Sequence, residues 1–465
     1  MHYISTRGTA PRLTFNDVLL AGLASDGGLY VPETWPQFSQ ADLAKLRGKN
    51  YAEIAASIMW PFVEGEIPRH MFETMVDEAY GTFRHPAICP LVQTGANEFI
   101  LELFHGPTLA FKDVAMQLIA RLMDYVLAQR GERATIVGAT SGDTGGAAID
   151  AFAGRERTDM FIFFPHGRVS PVQRLQMTSN KAANVHSVAL DGTFDDCQAI
   201  VKGMFNHHTF RDEVQLSGVN SINWGRIMAQ IVYFFTAALS LGAPDRPVSF
   251  TVPTGNFGDI FAAYSAKKMG LPVDQLIIAT NDNDILARTF DTGTYEMRGV
   301  VQTTSPSMDI QISSNFERLI FDAYGRKPEP VVAAMGSLKQ SGAFTLTKDA
   351  LNYMQTNGFA AGRADEADVA EALRAGKSES GYRIDPHTAT GIHVQRKLLK
   401  GEVPGIVLAT AHPAKFPDAV EAATGERPDL PVWLSDLMDR TEAFSRLPND
   451  QKMVEEFIRE KRRIV

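Results

Sequence analysis

Short apolar runs alternate with helix-length stretches along most of this chain. Seven of these runs are rich in β-branched or aromatic residues, at 99–103, 134–137, 161–164, 185–189, 248–252, 275–279 and 406–409. Strands that alternate with helices pair in parallel through right-handed crossovers, and helices then cover both faces of the sheet. Because the spacing is too uneven for a (β/α)₈ barrel, we predict an α/β protein with two open twisted sheets.

The predicted elements divide the chain into three parts. Residues 1–90 form a helical N-terminal region, with helices predicted at 15–23, 41–46 and 51–59. Residues 91–230 form a smaller α/β domain, and residues 231–465 form a larger one with a helical insertion at about 327–380. An N-cap signal and an amphipathic pattern predict a terminal helix at 449–463.

Charge and cysteine content exclude several classes of protein. The chain has 45 basic and 54 acidic residues. The resulting net charge of -9 argues against nucleic acid or an anionic membrane as a partner. Cys89 and Cys197 have neither metal-ligand nor disulfide-framework spacing. No apolar run approaches the ~20 residues of a membrane helix, and the N-terminus lacks a signal-peptide pattern. We expect a soluble cytoplasmic protein without a metal, either a monomer or a homodimer.

One lysine, Lys112, lies between a strand-like run and a helical one, in the string from Glu102 to Asp113. In an apolar pocket an ammonium tends to lose its proton, and the neutral amine can hold an aldehyde as a Schiff base. Pyridoxal phosphate is carried in this way. A lysine beside an aromatic residue more often keeps its head group in water, so the other motifs must decide.

Two glycine-containing loops follow predicted strands and open helices. In the first, Gly255, Asn256, Phe257, Gly258 and Asp259 follow the run at 248–252. Free N–H groups at such a helix start bind anions, and glycine lets a phosphate approach the backbone. A plain βα turn has the same glycine spacing, and Asp259 fits an anion site only if it turns away.

The second loop contains Ser141, Asp143 and Thr144 and opens an alanine-rich helix. The hydroxyl groups of Ser141 and Thr144, with nearby N–H groups, can bind a substrate carboxylate. An N-capped helix that packs closely on small residues explains the same pattern. Two anion sites suit a ligand with two anionic groups, so we assign these three residues to substrate binding.

Two further segments supply candidate side chains. Thr410 ends the last predicted strand, where open α/β sheets bind ligands, and it can bond to a pyridine nitrogen; Lys415 follows it. Asn223 and Arg226, three residues apart, share a helix face, and an arginine can grip a phosphate with two donors. Taken singly, these residues also fit a core threonine, a surface lysine and a surface arginine.

Together these strings resemble the threonine synthase family, pyridoxal-phosphate enzymes of fold type II with a tryptophan-synthase-β-like fold. The resemblance covers nearly the whole chain. Six strings carry it: Ser25–Pro32, His105–Asp113, Ser141–Gly145, Gly255–Asp259, Asp385–Ala389 and Thr410–Phe416. Each glycine loop is a weak signal, but the order of the strings is specific.

The resemblance implies a role for each motif. Lys112 is the Schiff-base lysine, residues 255–258 hold the cofactor phosphate with Asp259 next to them in the cofactor site, and Thr410 faces the pyridine nitrogen. The substrate residues are Ser141, Asp143, Thr144, Asn223, Arg226 and Lys415. The implied reaction converts O-phospho-L-homoserine and water to L-threonine and phosphate, by γ-elimination and then β-addition of water. Two alternatives stay open: a lyase of the same fold, such as a dehydratase or phospholyase, and a ligand-binding relative without catalysis.

Overall fold

The computed structural model describes residues 1–140 and 142–463. Its strands are β1 (Tyr3–Ser5), β2 (Tyr30–Pro32), β3 (Leu91–Gln93), β4 (Glu98–Glu102), β5 (Ala134–Ala139), β6 (Thr158–Pro165), β7 (Val185–Asp191), β8 (Leu216–Ser217), β9 (Val248–Pro253), β10 (Val273–Thr280), β11 (Thr294–Glu296), β12 (Ala343–Thr345), β13 (Phe359–Arg363), β14 (Gly405–Ala409) and β15 (Ser445–Pro448).

The helices of the N-terminal half are α1 (Phe15–Ala21), α2 (Gln40–Leu46), α3 (Tyr51–Val63), α4 (Arg69–Tyr80), α5 (Lys112–Arg130), α6 (Asp143–Phe152), α7 (Pro171–Thr178), α8 (Phe194–Asn206), α9 (His208–Glu213) and α10 (Trp224–Ser240). Those of the C-terminal half are α11 (Gly258–Lys268), α12 (Ile285–Thr292), α13 (Phe316–Ala323), α14 (Pro328–Ser341), α15 (Lys348–Thr356), α16 (Glu366–Ala375), α17 (Pro386–Leu398), α18 (Pro417–Thr424) and α19 (Gln451–Lys461).

Two sheets form the framework, which confirms the predicted fold class. The larger sheet has the strand order β13-β10-β9-β14-β4-β3, and only its β3–β4 pair is antiparallel. The smaller sheet has the order β15-β7-β6-β5-β8 and is parallel throughout. Every residue of β6, β9 and β14 is buried, as expected for parallel strands covered on both faces.

Sheet membership does not follow the predicted domain boundaries at 91 and 231. β4, which precedes Lys112, pairs with β14 in the larger sheet, while β15 near the C-terminus pairs with β7 in the smaller one. Spatial order in a sheet is independent of chain order when crossovers join the strands, so a boundary placed along the chain cannot capture it. The predicted helical insertion also contains β13, the edge strand beside β10.

The larger sheet brings three loops to one edge. β9, β14 and β4 are neighbours, and their carboxyl ends lead to residues 254–257, to Thr410 and to the loop before Lys112. Ligands bind at this edge in open α/β sheets.

No helix among the described residues is long and apolar enough to cross a membrane. Within the same residues no cluster of His, Cys, Asp or Glu could hold a metal.

Candidate active site

Lys112 is the first residue of α5, and its side chain is turned into the protein. Only 8% of the residue is exposed. Its Nζ lies 3.6 Å from Asp143 Oδ2 and 4.8 Å from the ring centre of Phe111. Burial lowers the pKa of Lys112, Asp143 opposes this shift, and the charges of Arg226 and Lys415 add to it. The neutral, nucleophilic amine is therefore favoured more than in water.

Thr410 is held beside Lys112 by backbone hydrogen bonds. Phe111 N donates to Thr410 O at 2.9 Å, and His412 N donates to Leu109 O at 3.0 Å. The two segments that precede Lys112 and follow β14 are thus tied together. Thr410 is buried, and its hydroxyl forms no hydrogen bond with any group of the described chain. That free hydroxyl fits the predicted contact with a pyridine nitrogen.

Asp143 carries a negative charge that is balanced inside the protein. Its Oδ1 lies 2.9 Å from Lys415 Nζ and accepts from Gln173 Nε2 at 2.8 Å. Burial alone would raise the pKa of Asp143, but Lys415 and Lys112 outweigh it and hold that pKa well below its usual range. Asp143 is therefore ionised beside the candidate Schiff-base lysine.

Lys415, which was predicted to bind the substrate, already has protein partners for its ammonium group. It is 0% exposed, and besides Asp143 it donates to Thr108 O at 2.6 Å and to Gln176 Oε1 at 2.8 Å. An ammonium has three protons, so these three acceptors use its capacity. Its place is that of an internal partner of Asp143, since a substrate anion would have to displace one of them.

The loop after β9 has the geometry of an anion site. Phe257 has a φ of 64°, and α11 begins at the next residue. The N–H groups of residues 255–258 donate to no acceptor among residues 1–140 and 142–463. A Cβ on Gly255 would lie 2.7 Å from Ser307 O, so only glycine fits there. Unpaired N–H groups at a helix start match the phosphate of the implied cofactor.

Asp259 turns away from this loop, as the anion site requires. Its Oδ1 accepts a hydrogen bond from the Tyr233 hydroxyl, while its buried Oδ2 has no partner in the described structure. Burial raises the pKa of Asp259 to about 7, although the Tyr233 hydroxyl and Lys112 act in the opposite direction. A carboxyl group that keeps its proton in about half of the molecules at pH 7 repels a phosphate less than a fully ionised carboxylate would.

Arg226 is a buried cation with no anionic partner among the residues that the structure describes. It is 4% exposed, and the one hydrogen bond of its side chain within the described chain is a long contact of 3.4 Å from Nη1 to Val219 O. Its Nε is buried and has no partner in residues 1–140 or 142–463. Burial lowers the pKa of Arg226 to about 10, so it stays charged at neutral pH. An unpaired buried guanidinium is costly unless a ligand supplies the negative charge.

Asn223, predicted to act with Arg226, caps α10. Its Oδ1 accepts from Gly225 N at 2.9 Å, and its Nδ2 donates to Leu19 O at 2.8 Å. Both ends of the amide therefore have protein partners, and a role toward the substrate stays a prediction. Thr144 lies in the first turn of α6 beside Asp143. Ser141, the third predicted hydroxyl residue, lies outside the described residues.

Several residues of the site were not predicted from the sequence. Tyr233 could have been found, because it follows Arg226 by seven residues and so shares its face of α10. Gln173 and Gln176 lie on α7 and approach only through tertiary packing, so no local pattern reveals them. Thr140 is different because its contacts are local: its hydroxyl accepts from Gly142 N at 3.0 Å and Gly145 N at 3.1 Å, so a threonine just before the glycine loop could have been found.

Comparisons with known proteins agree with this geometry. Family models described as "Threonine synthase N terminus", "Pyridoxal-phosphate dependent enzyme" and "Threonine synthase, C-terminal" match residues 2–80, 90–337 and 388–458. A threonine synthase from Pseudomonas aeruginosa is 51% identical over 463 residues, which cover 98% of each chain.

Solved structures extend the match to the whole fold. The crystal structure of a PLP-bound threonine synthase from Brucella melitensis has a TM-score of 0.98 and 65% identity, and the match covers 100% of both chains. The yeast threonine synthase has a TM-score of 0.94 and 38% identity, with 99% of this chain and 98% of that one covered. Since curated relatives match over nearly the full length and the pyridoxal-phosphate-dependent enzyme model covers residues 90–337, the chain belongs to the threonine synthase family of pyridoxal-phosphate-dependent enzymes.

Proposed function

We propose that this chain converts O-phospho-L-homoserine and water to L-threonine and phosphate, a step of amino-acid biosynthesis. The observation that carries the substrate assignment is the buried, unpaired Arg226, whose charge acts on Lys112. An amino acid with a terminal phosphate supplies the anion that this guanidinium lacks. The phosphate loop at residues 255–258 is a separate anion site, so cofactor and substrate phosphates need not compete.

The cofactor is pyridoxal phosphate, and three features of the chain fit it. The unpaired N–H groups of residues 255–258 would hold its phosphate, and the free hydroxyl of Thr410 would face the ring nitrogen. Lys112, with its lowered pKa, would hold its aldehyde carbon. When bound, the cofactor supplies an electron sink for charge that develops at the substrate carbons.

Lys112 is the residue suited to moving protons. The overall reaction removes protons from Cα and Cβ, breaks the Cγ–O bond, adds hydroxyl at Cβ and returns protons to Cγ and Cα. A neutral amine on the first residue of α5 can accept and return protons at carbons that lie next to it. Its lowered pKa keeps part of the amine unprotonated, and the buried surroundings exclude bulk water.

Asp143 and Lys415 set the charge around this amine. If Asp143 faced Lys112 alone, the carboxylate would stabilise the ammonium and weaken the base. Lys415, at 2.9 Å from Asp143 Oδ1, takes up much of that negative charge. Thr144 and the start of α6 are the groups that we assign to the substrate carboxylate, because a helix start favours anions.

Product analysis tests this function. Incubation of the purified holoenzyme with O-phospho-L-homoserine should give L-threonine and phosphate in equal amounts. A lyase of the same fold would release phosphate and a 2-oxo acid, and a ligand-binding relative would release neither.

We further propose that the enzyme works in the cytoplasm as a monomer or homodimer, without nucleic acid.

A further inference from the structure

The cofactor-phosphate loop and the loop that leads to Arg226 share one buried contact. Asn315 precedes α13 and is 0% exposed. Its Nδ2 donates to Asn256 O at 2.9 Å in the loop after β9 and to Ser221 O at 3.2 Å. Ser221 belongs to residues 219–222, the segment whose Val219 O contacts Arg226. One amide group therefore joins the two segments that we assign to the two phosphates.

Arg318 fixes the orientation of this amide. Its Nη1 donates to Asn315 Oδ1, which leaves Nδ2 to face the two carbonyl groups. Arg318 is itself held by Tyr30 O, at 3.0 Å from Nε and 2.9 Å from Nη2, and by Ile222 O at 2.7 Å. The same guanidinium thus also holds the segment that contains Ser221. An amide whose oxygen is bonded to an arginine cannot flip without losing all three contacts.

The contacts of Asn315 also set the orientation of the phosphate loop. Asn315 N donates to Asn256 O at 3.0 Å, and Ser313 Oγ donates to Gly255 O at 2.6 Å. These bonds hold the carbonyl groups of residues 255 and 256 toward the segment before α13. Each peptide unit is planar with N–H opposite C=O, so fixing the carbonyl groups also fixes the N–H groups that follow them. The anion site is in this way built before the cofactor binds.

We infer that Asn315 is a positioning residue that couples the cofactor-phosphate site to the substrate-phosphate site, with Arg318 as its support. This inference rests on the proposed function, because it takes residues 255–258 and Arg226 as the two phosphate sites. Asn315 acts through the two loops and bonds to neither phosphate. Its loss should therefore weaken both anion sites together, which a residue of only one loop would not do.

The test compares Asn315→Ala with a matched variant, Asn184→Ala. Asn184 is also a buried bridging amide, donating to Phe152 O at 2.7 Å at the end of α6 and to Thr158 O at 3.0 Å at the start of β6. Two quantities are measured on each holoenzyme. Equilibrium dialysis gives the Kd of pyridoxal phosphate, and titration of the visible absorption gives the preference for O-phospho-L-homoserine over L-homoserine.

We expect Asn315→Ala to raise the cofactor Kd and to reduce the phosphate preference, each by about fivefold or more, as the loss of buried hydrogen bonds implies. Asn184→Ala should lower Tm but leave both quantities within about twofold of the parent enzyme. In an Arg226→Ala background, Asn315→Ala should still raise the cofactor Kd but should reduce the phosphate preference no further.

Three outcomes overturn the inference: a change in only one of the two quantities, a change in neither, or an additive loss of preference in the double variant. Should Asn315→Ala not fold, Asn315→Asp keeps the shape and the contact with Arg318 but cannot donate to either carbonyl, and the same criteria apply. Failure of the proposed substrate site is seen separately, as an Arg226→Ala enzyme that keeps its phosphate preference.

Discussion

Lys415 Nζ lies 2.9 Å from Asp143 Oδ1, and both side chains are buried. The other oxygen of the same carboxylate lies 3.6 Å from Lys112 Nζ. One carboxylate therefore lies between two lysine side chains, and the closer lysine, Lys415, is not the reactive one. This arrangement keeps a negative charge near the cofactor site, while the positive charge of Lys415 limits how far that negative charge raises the pKa of Lys112.

Replacing Lys415 should change the proton affinity of Lys112. In Lys415→Met, Asp143 would pair with Lys112 alone, and the charge of Lys415 that lowers the pKa of Lys112 would be gone. The pKa of Lys112 should rise, so the ascending limb of the pH–rate profile should move to higher pH. Breaking a buried pair should also cost about 3 to 5 kcal/mol of stability, measured by urea unfolding. Lys267→Met, which removes a lysine bonded to Asp274 O and Asn357 O, is the control. An unmoved pH–rate profile in Lys415→Met would contradict the role given to Lys415.

Arg226→Ala should separate substrate binding from cofactor binding. One lost charge-assisted contact is worth roughly 1.5 to 3 kcal/mol, so kcat/KM for O-phospho-L-homoserine should fall about ten- to a hundredfold. The visible spectrum of the bound cofactor should stay normal, and affinity for L-homoserine should change little. Arg121→Ala removes a mostly buried arginine near Glu78, outside the site, and serves as the control. Equal weakening of both amino acids would show that Arg226 does not bind the phosphate.

Asp259→Asn should alter how stability depends on pH. The pKa of Asp259 is raised from 3.8 to about 7 in the folded chain, so between these values the folded state holds a proton that the unfolded state has lost. Its contribution is complete below about pH 4 and is lost as pH rises through 7. The variant should therefore gain about 1 to 3 kcal/mol relative to the parent between pH 5 and 8, by urea unfolding. Asp113, whose pKa is also raised to about 7 by burial, is present in both proteins and cancels. A difference that is constant with pH would contradict the assignment.

Thr410→Asp should retain the cofactor but change its chemistry. A hydroxyl leaves the ring nitrogen largely unprotonated, whereas a nearby carboxylate raises its pKa by about 1 to 3 units. We expect threonine formation to slow by about tenfold or more, or other products to appear. Thr410→Val, of similar shape, controls for loss of the hydroxyl alone. If rate and products are the same in Thr410→Asp as in the parent enzyme, Thr410 does not face the ring.

The sequence predicted those parts of the site that are local. The loop at residues 255–258 and Thr410 directly follow strands, and Lys112 opens the helix after β4, so strand, turn and helix signals place them together. Lys415 was predicted as a substrate ligand because its partner Asp143 is distant in the chain. Asn315 and Arg318 carry no local signature, since their partners are carbonyl groups of three separate segments. β13 and β15 were missed for a related reason: a short edge strand with few β-branched residues becomes a strand only when its neighbour is in place.

The most direct measurement follows the oxygen atoms of the reaction. The holoenzyme is incubated with O-phospho-L-homoserine in water labelled with heavy oxygen, and the masses of the products are measured by mass spectrometry. Lys112→Ala is the inactive control. If the Cγ–O bond breaks and water adds at Cβ, one labelled oxygen appears in the hydroxyl of threonine, and the released phosphate carries none. Labelled phosphate with homoserine, unlabelled threonine, or a 2-oxo acid in place of threonine would each contradict the proposed reaction.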